Sequence, residues 1–168
     1  GYSALAVQNK AAESHNTAVG YNAGGAVSSG DHNTIMGYGA FDDTDDASFN
    51  VAIGSAALSA NSGDNNVAIG YAAGNACTGA SNVFVGTEAG LSSSSGESNV
   101  IVGTSAAQFL TTADSSTFVG HSAGKGVTSA KLTGDANTAI GKDAGFLLQG
   151  AASTCTLIGA EAGKALTT

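Results

Sequence analysis

An all-β solenoid of about ten coils, each ~17 residues long, is the fold class predicted for this 168-residue chain. Three observations predict it. A short motif returns along the whole chain: Asn, Thr or Val, an apolar residue, Val/Ile/Met, then Gly, with glycines at Gly1, Gly20, Gly37, Gly54, Gly70, Gly86, Gly103, Gly120, Gly141 and Gly159. The third residue after each of these glycines is alanine, from Ala4 and Ala23 through to Ala162. The three positions ahead of each glycine are apolar or β-branched wherever the chain contains them, which suits strands rather than helices. A period of this length held over a whole chain marks a repeat architecture, in which each unit buries itself against its neighbours. An α-solenoid fails, because Gly falls in every segment and no window keeps a 3.6-residue period.

Composition narrows the functional classes. Gly, Ala, Ser, Thr and Asn dominate, Pro and Trp are absent, and 11% of residues are charged. Such a mixture is compatible with low-complexity disorder, but a disordered chain has no reason to keep fixed columns. The net charge of −8 and the lack of a basic patch remove the electrostatic source of nucleic-acid binding. No run is long and apolar enough to cross a membrane, so this segment is expected not to insert. Residues 1–168 read as one repeat domain, expected to be a piece of a longer fibrous protein because Gly1 falls inside a motif. Cys77 and Cys155 fall in different columns about four repeats apart. At ~4.8 Å per rung that is too far for a disulfide, so both are read as small buried thiols.

Side-chain alternation assigns the columns to opposite strand faces. The column just before the motif glycine, Val19, Met36, Ile53, Ile69, Val85, Val102, Val119, Ile140 and Ile158, is expected to fill the coil interior. It shares a face with Thr17, Thr34, Val51, Val67, Val83, Val100, Thr117, Thr138 and Thr156. The column between them, Ala18, Ile35, Ala52, Ala68, Phe84, Ile101, Phe118, Ala139 and Leu157, is also apolar and is expected to face another chain. Two apolar faces mean that the strand is covered on both sides. A thin coil lined by Ala, Val and Ile buries too little area to offset backbone ordering by itself, so the chain is expected to associate with copies of itself.

The turns follow from the remaining columns. Asn16, Asn33, Asn50, Asn66, Asn82, Asn99 and Asn137 precede the strands, where Asn bonds nearby backbone and can form a ladder between rungs. The motif glycine permits a sharp corner or a close backbone approach. The alanine after it marks a tight place, and a second glycine follows at Gly24, Gly74, Gly90, Gly124, Gly145 and Gly163. A glycine seven residues before the motif glycine (Gly30, Gly63, Gly79, Gly96, Gly134) places another turn, followed by a brief return strand. One repeat is thus expected to hold two short strands.

The segments Asn16–Gly24 (Asn-Thr-Ala-Val-Gly-Tyr-Asn-Ala-Gly), Asn66–Gly74 (Asn-Val-Ala-Ile-Gly-Tyr-Ala-Ala-Gly) and Asn137–Gly145 (Asn-Thr-Ala-Ile-Gly-Lys-Asp-Ala-Gly) resemble repeats of bacteriophage tail-fibre proteins. They are also similar to the head repeats of YadA-like trimeric autotransporter adhesins. The resemblance runs over essentially the whole chain. It implies a left-handed parallel β-roll, a homotrimer around a threefold axis, and attachment to a host cell-surface glycan or protein. A virion tail-fibre or extracellular, cell-surface location follows from the same resemblance. The adhesin repeat is usually shorter than the ~17 residues here, and the spacing stretches to 21 between Gly120 and Gly141, so the phage-fibre form fits the length better.

Few residues offer chemistry. Asp42, Asp43, Asp45 and Asp46 cluster, but lack the spacing of a calcium loop and are read as a solvated acidic turn. His15 and His32 share the column before Asn and are expected to stack as a surface ladder; with no Cys or carboxylate seen in register, no metal site is expected. His121 stands alone. Tyr2, Tyr21, Tyr38 and Tyr71 each follow a motif glycine and are expected to pack along the solenoid wall, with sugar stacking as the alternative. No nucleophile elbow, phosphate loop or zinc spacing is present, so neither catalysis nor a cofactor is expected. The expected function is a structural and adhesive fibre segment. The alternatives are a self-assembling extracellular filament and, since Thr17, Thr34, Thr117, Thr138 and Thr156 share a column, a solenoid that binds ice or another regular surface.

Overall fold

The structure, a computed structural model, describes residues 1–8 and 14–167. It is all-β and built from nine three-residue strands: β1 (Thr17–Val19), β2 (Thr34–Met36), β3 (Val51–Ile53), β4 (Val67–Ile69), β5 (Val83–Val85), β6 (Val100–Val102), β7 (Thr117–Val119), β8 (Thr138–Ile140) and β9 (Thr156–Ile158). All pair in parallel, each with the next in sequence, in the order β1 to β9. The motif columns lie in register, as in Ala68↔Phe84↔Ile101↔Phe118. The chain is therefore a parallel β-solenoid of about eight turns, roughly 40 Å tall at ~4.8 Å per rung.

Among the described residues the expected second strand of each coil does not form; isolated parallel bridges, Leu110 to Leu132 and Leu132 to Gly150, stand in its place in the later coils. The rest of each coil is a series of turns held between rungs by backbone hydrogen bonds. The amide of the residue after each motif alanine donates to the motif alanine carbonyl of the next rung, as in Gly74 to Ala89 at 2.9 Å and Gly124 to Ala144 at 2.8 Å. Tight closure requires left-handed backbone at repeated places, and non-glycine residues adopt it at many of them, among them Asn65 (φ 62°), Ser98 (φ 59°) and Ser105 (φ 53°). The motif glycines sit near φ 121–144°. A Cβ at Gly86 or Gly103 would also strike the backbone of the next rung's glycine.

The burial of the strand faces inverts the expected assignment. Ile35, Ala52, Ala68, Phe84, Ile101, Phe118 and Ala139, expected at a chain–chain interface, are fully buried inside the coil. Ala18 and Leu157, in the end rungs, are partly buried against the same core. The column expected inside points outward: Val19, Met36, Ile69, Ile140 and Ile158 are exposed, and Ile53, Val85, Val102 and Val119 are half-exposed. The reason is the width of the coil. A three-residue strand sends one side chain inward and two outward, and the lumen holds no more than that one.

The core packs by size compensation. Behind the inward column lie the motif alanines, of which Ala23 through Ala144 are fully buried, and beyond them Val27, Phe41, Leu58, Cys77, Leu110, Leu132 and Leu148. The second glycine of the repeat sits where the inward residue of its own or the next rung is large. A Cβ at Gly90 would hit Phe84, one at Gly124 would hit Phe118, and one at Gly74 would lie 2.6 Å from the Phe84 ring. Where the inward residue is Ala52, the same position carries Leu58 instead. The 21-residue spacing is absorbed by a bulge: Val127 bridges Ala130, and Leu132 then takes a buried place between Leu110 and Gly150.

The asparagine column forms the expected ladder. Each side-chain oxygen accepts the backbone N–H of the next rung: Asn33 N to Asn16 Oδ1 at 2.8 Å, Asn50 to Asn33 at 2.9 Å, Asn66 to Asn50 at 2.7 Å, Asn82 to Asn66 at 2.9 Å and Asn99 to Asn82 at 3.0 Å. Ser116 continues it, accepting from Asn137 through Oγ at 3.1 Å, and Asn137 Oδ1 accepts from Cys155 at 3.0 Å. The amide nitrogens donate across the turn to the column of small residues seven before the motif glycine. Asn16 reaches the Gly30 carbonyl, Asn66 that of Gly79, Asn82 that of Gly96 and Asn137 that of Gly134. Burial of a polar side chain is tolerated here because its amide nitrogen and its oxygen each have a partner.

Candidate functional site

The described residues form no pocket. What the solenoid offers instead is a flat wall and its two flanks. The wall is the outer face of the nine-stranded sheet, carrying the Thr17-to-Thr156 and Val19-to-Ile158 columns in register. No charged residue lies in either column. At ~4.8 Å between rungs and ~7 Å between alternate residues, it is a regular uncharged strip of roughly 270 Å².

Both flanks carry aromatic stacks near the first strands. On the side following the strands, Tyr21 lies between Tyr2 (ring centroids 5.5 Å apart) and Tyr38 (5.2 Å), all nearly parallel and solvent-exposed. Packing along the wall is thus realised as ring on ring. Tyr71 shares the column but is separated from Tyr38 by the rung of Ser55. On the side preceding the strands, His15 stacks on His32 (4.6 Å, 2° between planes) and His32 on Phe49 (5.0 Å, 6°). The expected histidine ladder is present, and a carboxylate stands beside it. Asp31 Oδ2 is 3.4 Å from His15 Nδ1 and 3.7 Å from His32 Nε2. Asp31 belongs to a column one residue ahead of the histidines, with Asp64, Glu97, Asp114 and Asp135; there a carboxylate Oδ1 accepts a backbone N–H of the preceding rung, as Asp31 does from His15 at 2.6 Å, Asp64 from Ser48 at 2.8 Å and Asp114 from Glu97 at 2.7 Å. Register within the histidine column alone does not reveal it.

The acidic turn is anchored to its neighbours. Asp43, Asp45 and Asp46 are exposed, and Asp42 is half-buried and accepts a bond from Asn22 Nδ2 at 3.3 Å. Burial raises the Asp42 carboxyl above its ordinary range, against the hydrogen bonds that lower it. Asp45 accepts the Ser28 hydroxyl, and its carbonyl takes the amides of Ser28, Ser29 and Gly30. Among the described residues, the His15, Asp31 and His32 side chains are the group whose ligand atoms converge. His121 is exposed and separate from it. Both cysteines are free thiols; Cys77 is buried, with its thiol pushed up to about 11 by that burial, and Cys155 is half-buried at the end of the asparagine ladder.

Fold and surface together define a class: a parallel β-solenoid repeat protein with one strand per coil, a closed core and an uncharged outer wall of Thr, Val, Ile and Met. No protein-family model, curated protein or solved structure matches the chain. Among the described residues no helix is long and apolar enough to cross a membrane.

Proposed function

We propose that the chain is a structural and adhesive fibre segment that assembles as a homotrimer through its outward Thr/Val and Val/Ile columns. The supporting observation is the wall: one column of Val, Ile and Met and one of Thr and Val, in register, as tall as the rod, uncharged, and exposed or half-exposed on a chain whose core is already closed. A copy of the same chain is the proposed partner, because it carries a wall of the same pitch. The resemblance to tail-fibre and adhesin-head repeats implies three chains, a left-handed coil, a virion or cell-surface location, and a host glycan or protein as the target; the ten motif glycines support ten coils. Nothing in the chain's chemistry calls for a catalytic role in this reading.

Negative-stain micrographs combined with a charged wall test it. The native chain is expected to form short rods of uniform length, and Val85→Lys with Val102→Lys to separate them into single chains that keep their β circular dichroism. Fibres that grow without limit would favour the filament alternative. Rods unaffected by the paired lysines would remove the wall from the assembly.

A second reading rests on one specific observation. Thr17, Thr34 and Thr156 are exposed, and Thr117 and Thr138 half-exposed, on the outward face of a flat parallel sheet, as a surface that binds ice or another regular lattice requires. Val51, Val67, Val83 and Val100 interrupt the hydroxyls in the middle of the column. A thermal-hysteresis assay decides it, and no activity is expected.

A further inference from the structure

We propose that His15, His32 and Asp31 form a binding site for a divalent transition metal of the zinc, nickel and copper type. Two imidazole nitrogens and one carboxylate oxygen make a donor set suited to these ions, with water completing the shell. Two ligand atoms on one tetrahedral ion at ~2.1 Å stand roughly 3.4 Å apart. Asp31 Oδ2 is already 3.4 Å from His15 Nδ1 and 3.7 Å from His32 Nε2, and all three ligand atoms lie within 4.8 Å of one another.

The carboxylate is held in place by the bond to the preceding rung that Asp64, Asp114 and Asp135 also make. Its Oδ1 accepts the backbone N–H of His15 at 2.6 Å and that of His32 at 2.8 Å, while Oδ2 faces the two rings. The rings lie parallel, so their in-plane lone pairs run side by side. Convergence on an ion requires each ring to turn about its outer torsion, which is broad and soft. Both side chains are about half exposed, at 54% and 47%, so that turn meets no packed core. Phe49 stacks on the far side of His32 and covers that face of the ring. The ion ties the rung of β1 to that of β2, and because the unfolded chain does not assemble the three ligands, binding stabilises the fold. The site lies on the flank ahead of the wall and does not depend on the fibre reading.

Isothermal titration of the tag-free chain with zinc chloride near neutral pH tests the proposal, with the melting temperature followed in parallel. The expected result is about one ion per chain and a rise in melting temperature. His32→Ala, His15→Ala and Asp31→Asn are each expected to weaken binding by on the order of tenfold or more, as loss of a ligand does. Asparagine keeps an oxygen for the two backbone amides and removes only the charge, so Asp31→Asn separates ligation from folding. His121→Ala is expected to leave binding unchanged. Cobalt absorption on the native chain gives a check that needs no variant: intense tetrahedral-type bands are expected. Absence of zinc uptake, uptake untouched by His32→Ala, uptake lost in His121→Ala, or a weak octahedral cobalt spectrum would each overturn the proposal.

Discussion

At the scale of single residues, the fold depends on polar groups satisfied inside a narrow lumen. Asn82 accepts the Asn99 amide and donates to the Ala80 and Gly96 carbonyls. Asn82→Ala strands those groups away from water and is expected to lower stability by about 2–4 kcal/mol in urea denaturation. Ser93 shows the opposite case, since its buried hydroxyl has no partner. Ser93→Ala is expected to be neutral or to raise stability by about 1 kcal/mol. Cys77 adds a pH dependence. Its thiol is raised from the ordinary 9.0 to about 11 by burial, so the unfolded chain gives up this proton at lower pH than the folded one. The contribution is intact below pH 9 and is lost as pH rises toward 11, by about 2–3 kcal/mol. Cys77→Val is expected to flatten that fall in alkaline melting curves. In the native protein, thiol reagents are expected to label Cys155 before Cys77.

At the scale of the coil, stability comes from turns and size matching rather than from the three-residue strands. Gly124 has φ 58°, and a Cβ there would overlap the Phe118 ring. Gly124→Ala is expected to cost about 3 kcal/mol or more, and Phe118→Leu in the same chain to recover part of the loss; a double-mutant cycle measures the coupling. Ser98 holds left-handed backbone on an exposed turn. Ser98→Gly is therefore expected to be neutral or mildly stabilising, and Ser98→Val to destabilise by about 1–2 kcal/mol. This is also the scale at which the sequence could and could not be read. The period, the strand positions, the register and the asparagine ladder were all legible, because each is a column. The direction of the columns was not. Alternation says that Phe84 and Val85 point opposite ways, but not which of them points inward. The deciding signal was present in the spread from Ala68 to Phe84, matched by Gly74 and Gly90, because only an enclosed space demands such compensation. Asp31 also belongs to a column, six residues before the motif glycine with Asp64, Glu97, Asp114 and Asp135, but its place beside His15 joins two neighbouring columns, which register within either one does not reveal.

At the scale of the molecule, one chain closes its own core and still leaves a tall uncharged wall of Val, Ile and Thr in water. In the proposed trimer, the inversion of the two faces changes which residues would meet a sister chain, and the reason for one moves from an unfilled core to the uncharged outer wall. Phe84, Ile101 and Phe118 are withdrawn into the coil, and Val85, Val102 and Val119 stand outside in their place. The number of chains per particle, measured by light scattering on the intact protein at dilute concentration, tests this most directly. Three are expected; a stable single chain with its wall bare to solvent would contradict the account.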